Sequence, residues 1–141
     1  MGAEGPQPGA VGRVEAVVDD AMTAAAVGSG LVKGLATPTM IGLMEGAAVA
    51  AVADALPPGT SSVGTRVDVR HLAPTPVGMK VVAEARLTEV DRRRLTFEVS
   101  AADEKGMVGQ GTHERYIIDS ARFAESMAQR AAEESASTED Q

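Results

Sequence analysis

The sequence predicts an α+β domain in which an antiparallel sheet wraps a single long helix. Three observations point there. The stretch from Thr37 to Ala55 is apolar on nearly every side, as a helix buried on most faces must be. Alternating strand-like runs with short polar turns follow it, the spacing of an antiparallel meander. One more strand-like run comes before it. A lone buried helix with a meander can hide its apolar surface only against that sheet.

Each element has its own local reason. Residues 1–9 are rich in Gly and Pro and read as a flexible leader. Val11 to Val18 alternates weakly and suits a first strand. Ala24 to Gly34 carries Gly28, Gly30 and Gly34, so it reads as a loop or flap. Thr37-Pro38 opens the helix, Thr as N-cap and Pro at the first helical position, and Leu56-Pro-Pro-Gly59 stops it. Ser62 to Leu72 places Val63, Val67, Val69 and His71 on one face and Arg66, Asp68 and Arg70 on the other. Met79 to Val90 and Arg94 to Ala102 flank a turn at Asp91-Arg92-Arg93. Asp103-Glu-Lys-Gly106 turns into Met107 to Ile118. An amphipathic helix over about Ser120 to Arg130 closes the domain, residues 10–131. Residues 132–141 are acidic, without anchoring apolar side chains, and read as a disordered tail.

Composition narrows the function classes. Aromatic residues are 2% of the 141, too few for the stacking platforms that bind single-stranded nucleic acid. The net charge of −7 falls to −2 once the five acids of the two tails are set aside, so no basic stripe for duplexes exists. With no cysteine and two histidines, a disulfide framework, a Cys nucleophile and a zinc site all lack ligands. The N-terminus lacks the basic and apolar regions of a signal peptide, and the apolar run around Met40 is too interrupted for a membrane span. A cytoplasmic protein without metal or cofactor is the expectation.

Glu45 stands out as the only charged residue between Gly34 and Ala53. Burial there would raise its pKa and make it a base near neutral pH. A structural ion pair with an arginine of the sheet, or a partly exposed helix position, fits the pattern equally. His71 continues an apolar strand face, where a hydrogen-bonded core histidine is the commoner outcome. Thr37 lies two helical turns and about 80° from Glu45 on an ideal helix, so the two can line one groove without touching. His113 has fewer apolar neighbours and is the weaker histidine. Arg66, Arg70 and Arg92 to Arg94 are unranked candidates for phosphate.

The pattern fits a hot-dog domain, and nearly as well an unrelated α+β sandwich. Ala36-Thr37, Met40-Ile-Gly-Leu-Met-Glu45, Gly64-Thr65, His71 and Gly111-Thr-His-Glu-Arg115, in that order, resemble the fluoroacetyl-CoA thioesterase family of hot-dog proteins. The similarity runs from about Gly34 to Phe123. The resemblance implies a catalytic set of Thr37, Glu45 and His71, with Gly64, Leu31 and Arg115 on the substrate. It also implies a homodimer joined edge to edge through its sheets, with active sites at the interface. The family member that acts on fluoroacetyl-CoA carries phenylalanines on the flap. Here Gly28 and Leu31 stand in their place, so a different or broader acyl preference is expected.

The function so implied is hydrolysis of a short acyl-CoA, with Glu45 as general base or nucleophile. The alternative is a non-catalytic domain that binds acyl-CoA or another small ligand, since a fold does not fix a function. A hydratase on the same fold would want an Asp/His pair that the sequence does not offer.

Overall fold

The computed structural model describes residues 5–139. In chain order it contains β1 (Val11–Val17), α1 (Ala24–Val27), α2 (Thr37–Val52), β2 (Thr60–His71), β3 (Lys80–Asp91), β4 (Arg94–Asp103), β5 (Gly106–Asp119) and α3 (Ser120–Glu139). The five strands form one antiparallel sheet in the order β1-β3-β4-β5-β2. The sheet curls around α2, which is the hot-dog architecture.

The core lies between α2 and the central strands. Met40, Met44, Ala47, Ala48 and Val52 of the helix meet Val81, Ala83, Ala85, Leu87, Leu95, Phe97 and Val99 of the sheet. Each large side chain so buried contributes roughly 1.5–3 kcal/mol, and the alanines let helix and sheet approach closely. Gly12 makes the closest approach, since a Cβ there would collide with the backbone of Ala47 and Ala51. The other face of the sheet is polar and carries cross-strand ion pairs at directly opposed positions, Arg13 with Glu84 and Arg86 with Glu98. No helix of the described residues is long and apolar enough to cross a membrane.

Several expectations change. The helix is buried on one face only: Gly42, Glu45, Val49 and Ala50 lie on a flank that remains wholly or partly open. The leader is not all free, because Pro6 is buried and the Gly9 N–H donates to Leu87 O at 2.8 Å; residues 1–4 lie outside the described residues. The Gly-rich stretch starts with a helical turn, α1, capped by Thr23 and ended by Gly28 in the left-handed conformation. The terminal helix continues to Glu139 over part of the stretch for which composition predicts disorder, while residues 140–141 lie outside the description. Residues 120–133 of α3 are exposed except for Phe123, which is half-buried near its start.

Strand β2 departs from strict alternation. Its register against β5 shifts between Gly64 and Arg66, leaving Thr65 as a bulge. A bulge adds one residue and flips the phase of everything beyond it. Ser62 and Gly64 therefore face α2 on one side of the bulge, and Val67, Val69 and His71 face it on the other. Val63, expected on the His71 face, points outward. This phase change brings Gly64 to the helix.

Candidate active site

Thr37 is the first residue of α2, not its cap; Ala36 holds that position without a side-chain bond. The Thr37 hydroxyl is therefore available, and its Oγ1 lies 2.7 Å from His71 Nδ1. When the imidazole carries its proton on Nε2, the hydroxyl donates to Nδ1. His71 Nε2 is buried and has no hydrogen-bond partner among the described residues, a situation that costs about 1–3 kcal/mol until a partner arrives. The pair lines an open cleft of about 460 Å³ with Ser29, Leu31, Val32 and Leu72. Pro38 has no N–H, and no side chain caps the start of α2. The helix thus presents free N–H groups beside this cleft, where developing negative charge is stabilised.

The flap over the cleft is tied down at its base. Leu35 N–H donates to Thr75 O at 2.9 Å, and Ala25 N–H donates to Val32 O at 2.9 Å. Its apolar side chains nonetheless project outward, Leu31 at 95% exposure and Val32 at 67%.

Glu45 occupies the open flank of α2 with 41% of its side chain exposed. The expectation that the apolar helix would bury it fails, because that flank faces away from the core. Both of the modest alternatives hold instead: the position is partly exposed, and the carboxylate pairs with an arginine of the sheet. Arg115 Nη1 donates to Glu45 Oε2 at 3.4 Å. Oε1 has no protein partner among the described residues.

The group holding Glu45 is itself buried and fully connected. Arg115 Nε donates to Ser62 Oγ at 2.8 Å and Nη2 to Ser62 O at 2.9 Å. Nη1 also lies 3.1 Å from His113 Nε2. His113 Nδ1 sits 2.8 Å from the Arg66 carbonyl, which can only accept. The ring is therefore the Nδ1–H tautomer, and its Nε2 accepts from Arg115. Burial pushes the His113 pKa below its ordinary value, with the Arg66 carbonyl opposing that shift and the Arg115 charge reinforcing it. A neutral ring in this tautomer is what the guanidinium needs as an acceptor. Burial also lowers the Arg115 pKa from the usual guanidinium value, and Glu45 opposes that.

The residues singled out from sequence thus fall into two groups. Thr37, His71 and Leu31 share the flap cleft, whereas Glu45, Gly64 and Arg115 meet at the middle of α2. Eight helical steps separate Thr37 from Glu45, a rise of about 12 Å. Arg115, expected on the substrate, is 7% exposed and directs its donors at Ser62, His113 and Glu45. Sequence reasoning undervalued His113, which is 1% exposed and stacks on Phe97 with ring centroids 6.2 Å apart. It missed Ser62 altogether. The available signal was the alternation of β5, which places His113, Arg115 and Ile117 on one face. Among the described residues no group of three or more acidic or histidine side chains could hold a metal ion.

Residues 18–121 match the protein family described as fluoroacetyl-CoA-specific thioesterase. The fluoroacetyl-CoA thioesterase of Streptantibioticus cattleyicolor is 48% identical over 88 residues, which is 62% of this chain and 63% of that protein. The matched stretch therefore spans less than two thirds of that relative's length. A solved structure of a fluoroacetyl-CoA thioesterase superposes with a TM-score of 0.84 at 36% identity, covering 89% of this chain and 98% of the other. A thioesterase-superfamily protein of Thermus thermophilus superposes at 0.85 with 29% identity, covering 95% and 98%. With the family match spanning most of the folded domain, the chain belongs to the fluoroacetyl-CoA-specific thioesterase family.

Proposed function

We propose that the chain hydrolyses a small acyl-CoA to the free acid and coenzyme A, at a site shared by two protomers. The observation that carries this reading is the state of Glu45. One of its oxygens, Oε2, is anchored by a buried guanidinium beside Gly64, and the other has no protein partner among the described residues. A carboxylate so fixed is set up to take a proton from water or to attack a carbonyl carbon itself.

In the hydrolytic step water adds to the thioester carbonyl carbon while Glu45 takes its proton. The tetrahedral oxyanion forms against the free N–H groups at the start of α2, while the Thr37 hydroxyl donates to His71 Nδ1 and keeps the imidazole proton on Nε2. The carbon–sulfur bond then breaks, and the CoA thiolate leaves with a proton delivered through His71. The alternative, attack by Glu45 to give a mixed anhydride that water then cleaves, uses the same groups.

The separation of the two groups along α2 favours assembly across a homodimer. The carboxylate of one protomer would meet the Thr37–His71 pair of its partner, giving the buried His71 Nε2 a neighbour. Two surfaces of the single chain suit such a partner. The outer edge of β2, 12 residues long, has no strand beside it among the described residues, and a long open edge is a ready template for a second copy. The exposed Val49 of α2 and Leu31 and Val32 of the flap supply apolar contact.

The flap supports a broader acyl preference, because Leu31 and Val32 are aliphatic and leave its cleft open. A thiol-release assay over acetyl-, propionyl-, butyryl- and fluoroacetyl-CoA tests the proposal. Turnover of the non-fluorinated short thioesters is expected, without an exclusive preference for fluoroacetyl-CoA. Binding without thiol release from any of them would return the chain to a non-catalytic acyl-CoA-binding role.

A further inference from the structure

An acyl-CoA has a second end, a phosphorylated nucleotide far from the thioester, and the structure ranks the arginines that could meet it. Arg66 is engaged by Asp68 at 3.3 Å and Glu114 at 3.9 Å. Arg94 is engaged by Asp91 at 3.3 Å and Glu89 at 3.9 Å. Arg70 lies on the sheet face turned away from α2, in a hollow it shares with Glu84, Arg86 and Glu98. Arg92 and Arg93 have no acidic partner among the described residues, and both are exposed at the β3–β4 hairpin tip.

These two arginines line a cleft of about 310 Å³ with Pro57, Thr60, Val90 and Ile117. Its floor is apolar and its rim cationic, which suits a flat heterocyclic base carrying phosphates. Asp119 also borders the cleft, but its Oδ1 accepts the Arg122 N–H at 2.9 Å, at the start of α3. The cleft is on the side of the sheet that faces α2. On β5 the inward residues run His113, Arg115, Ile117, so it begins one inward step, about 7 Å, beyond the arginine that holds Glu45.

The distances match the ligand. From Gly64 on β2 across β5 to β4 is two strand spacings, about 10 Å, and the hairpin tip is a few residues further along. The pantetheine arm of CoA, comparable to about five extended residues, reaches roughly 16–18 Å. Backbone geometry at the tip points the same way. Arg92 has φ 60, the one non-glycine residue with positive φ among the described residues, at a turn position that ordinarily selects Asn or Gly. An unfavourable local conformation is retained with a cation at its end.

We propose that the cleft beneath the Asp91–Arg94 hairpin binds the nucleotide phosphates of coenzyme A through Arg92 and Arg93. This rests on the thioesterase reading for its ligand, and the test separates the two. CoA binding is measured by calorimetry for the wild-type protein and for the double variant Arg92→Asn/Arg93→Gln, in which Asn keeps the left-handed turn comfortable. In parallel, kcat/KM is compared for acetyl-CoA and for acetyl-N-acetylcysteamine, a thioester without phosphates. The variant is expected to bind CoA about tenfold or more weakly, a loss of the order of one or two charge-assisted contacts. Its preference for acetyl-CoA over the truncated thioester should fall by a similar factor. CoA binding equal to wild type would overturn the proposal. Absence of wild-type turnover on both thioesters would count against hydrolysis, and the calorimetry would still decide the cleft.

Discussion

Glu45→Ala is expected to lower kcat for thiol release from acetyl-CoA by about 10²–10⁴, the range associated with a positioned general base. The fold should survive the change. Glu45 sits on the open flank of α2, 41% exposed, so its removal leaves no core cavity. Arg115 keeps Ser62 Oγ, Ser62 O and the His113 ring as acceptors, so the buried cation is not stranded. Glu45→Gln separates charge from shape. It preserves an oxygen for Arg115 but cannot take a proton, and a loss as deep as that of the alanine variant identifies the ionised carboxylate as the reacting group. An alanine variant that retained wild-type turnover, with unchanged thermal unfolding, would remove Glu45 from the chemistry.

Gly64→Ala is expected to cost about 10–10²-fold in kcat/KM while leaving the protein folded. A Cβ at this position would lie 2.5 Å from Glu45 Oε2, 3.2 Å from His113 Cε1 and 3.3 Å from Arg115 Nη1. The nearest of these atoms ends a flexible, half-exposed side chain, so the carboxylate moves before the backbone does. Displacing it by about 1 Å loosens the Arg115 contact and takes the free oxygen away from its target. The discriminating comparison is with Glu45→Ala. If Gly64 acts through Glu45, adding Gly64→Ala to the Glu45→Ala protein should cost little more. Full additivity of the two losses would mean that Gly64 has a separate role.

Much of this arrangement is legible in the sequence, because period and punctuation are local. The helix from Thr37, the turns at Asp91-Arg92-Arg93 and Asp103 to Gly106, and all five strands follow from alternation and breakers, with strand ends displaced by a residue or two and the helix end by three. Thr37, Glu45, His71 and Gly64 stand out through an unusual charge and an ordered set of motifs. What stays hidden depends on contacts far apart in the chain. The burial of Glu45 depends on which flank of an all-apolar helix meets the sheet, and the helix's own periodicity does not say. Arg115 looks like a ligand for substrate until its 53-residue reach to Ser62 is known. The phase of β2 turns on one bulged residue, Thr65, which reverses the face of Val63. A glycine inside a strand pattern does hint at such a bulge, and Gly64 is that glycine.

The proposed hydrolysis requires one active site built from Glu45 of one protomer and Thr37–His71 of another. Mixing Glu45→Ala and His71→Ala subunits after denaturation and refolding tests it most directly. Each variant alone is expected to be inactive. Random reassortment makes half the dimers mixed, and each mixed dimer holds one intact site, so thiol release should return to about a quarter of the wild-type level. No recovery in a preparation shown to contain mixed dimers, or a protein that is monomeric at working concentration, would contradict the shared site.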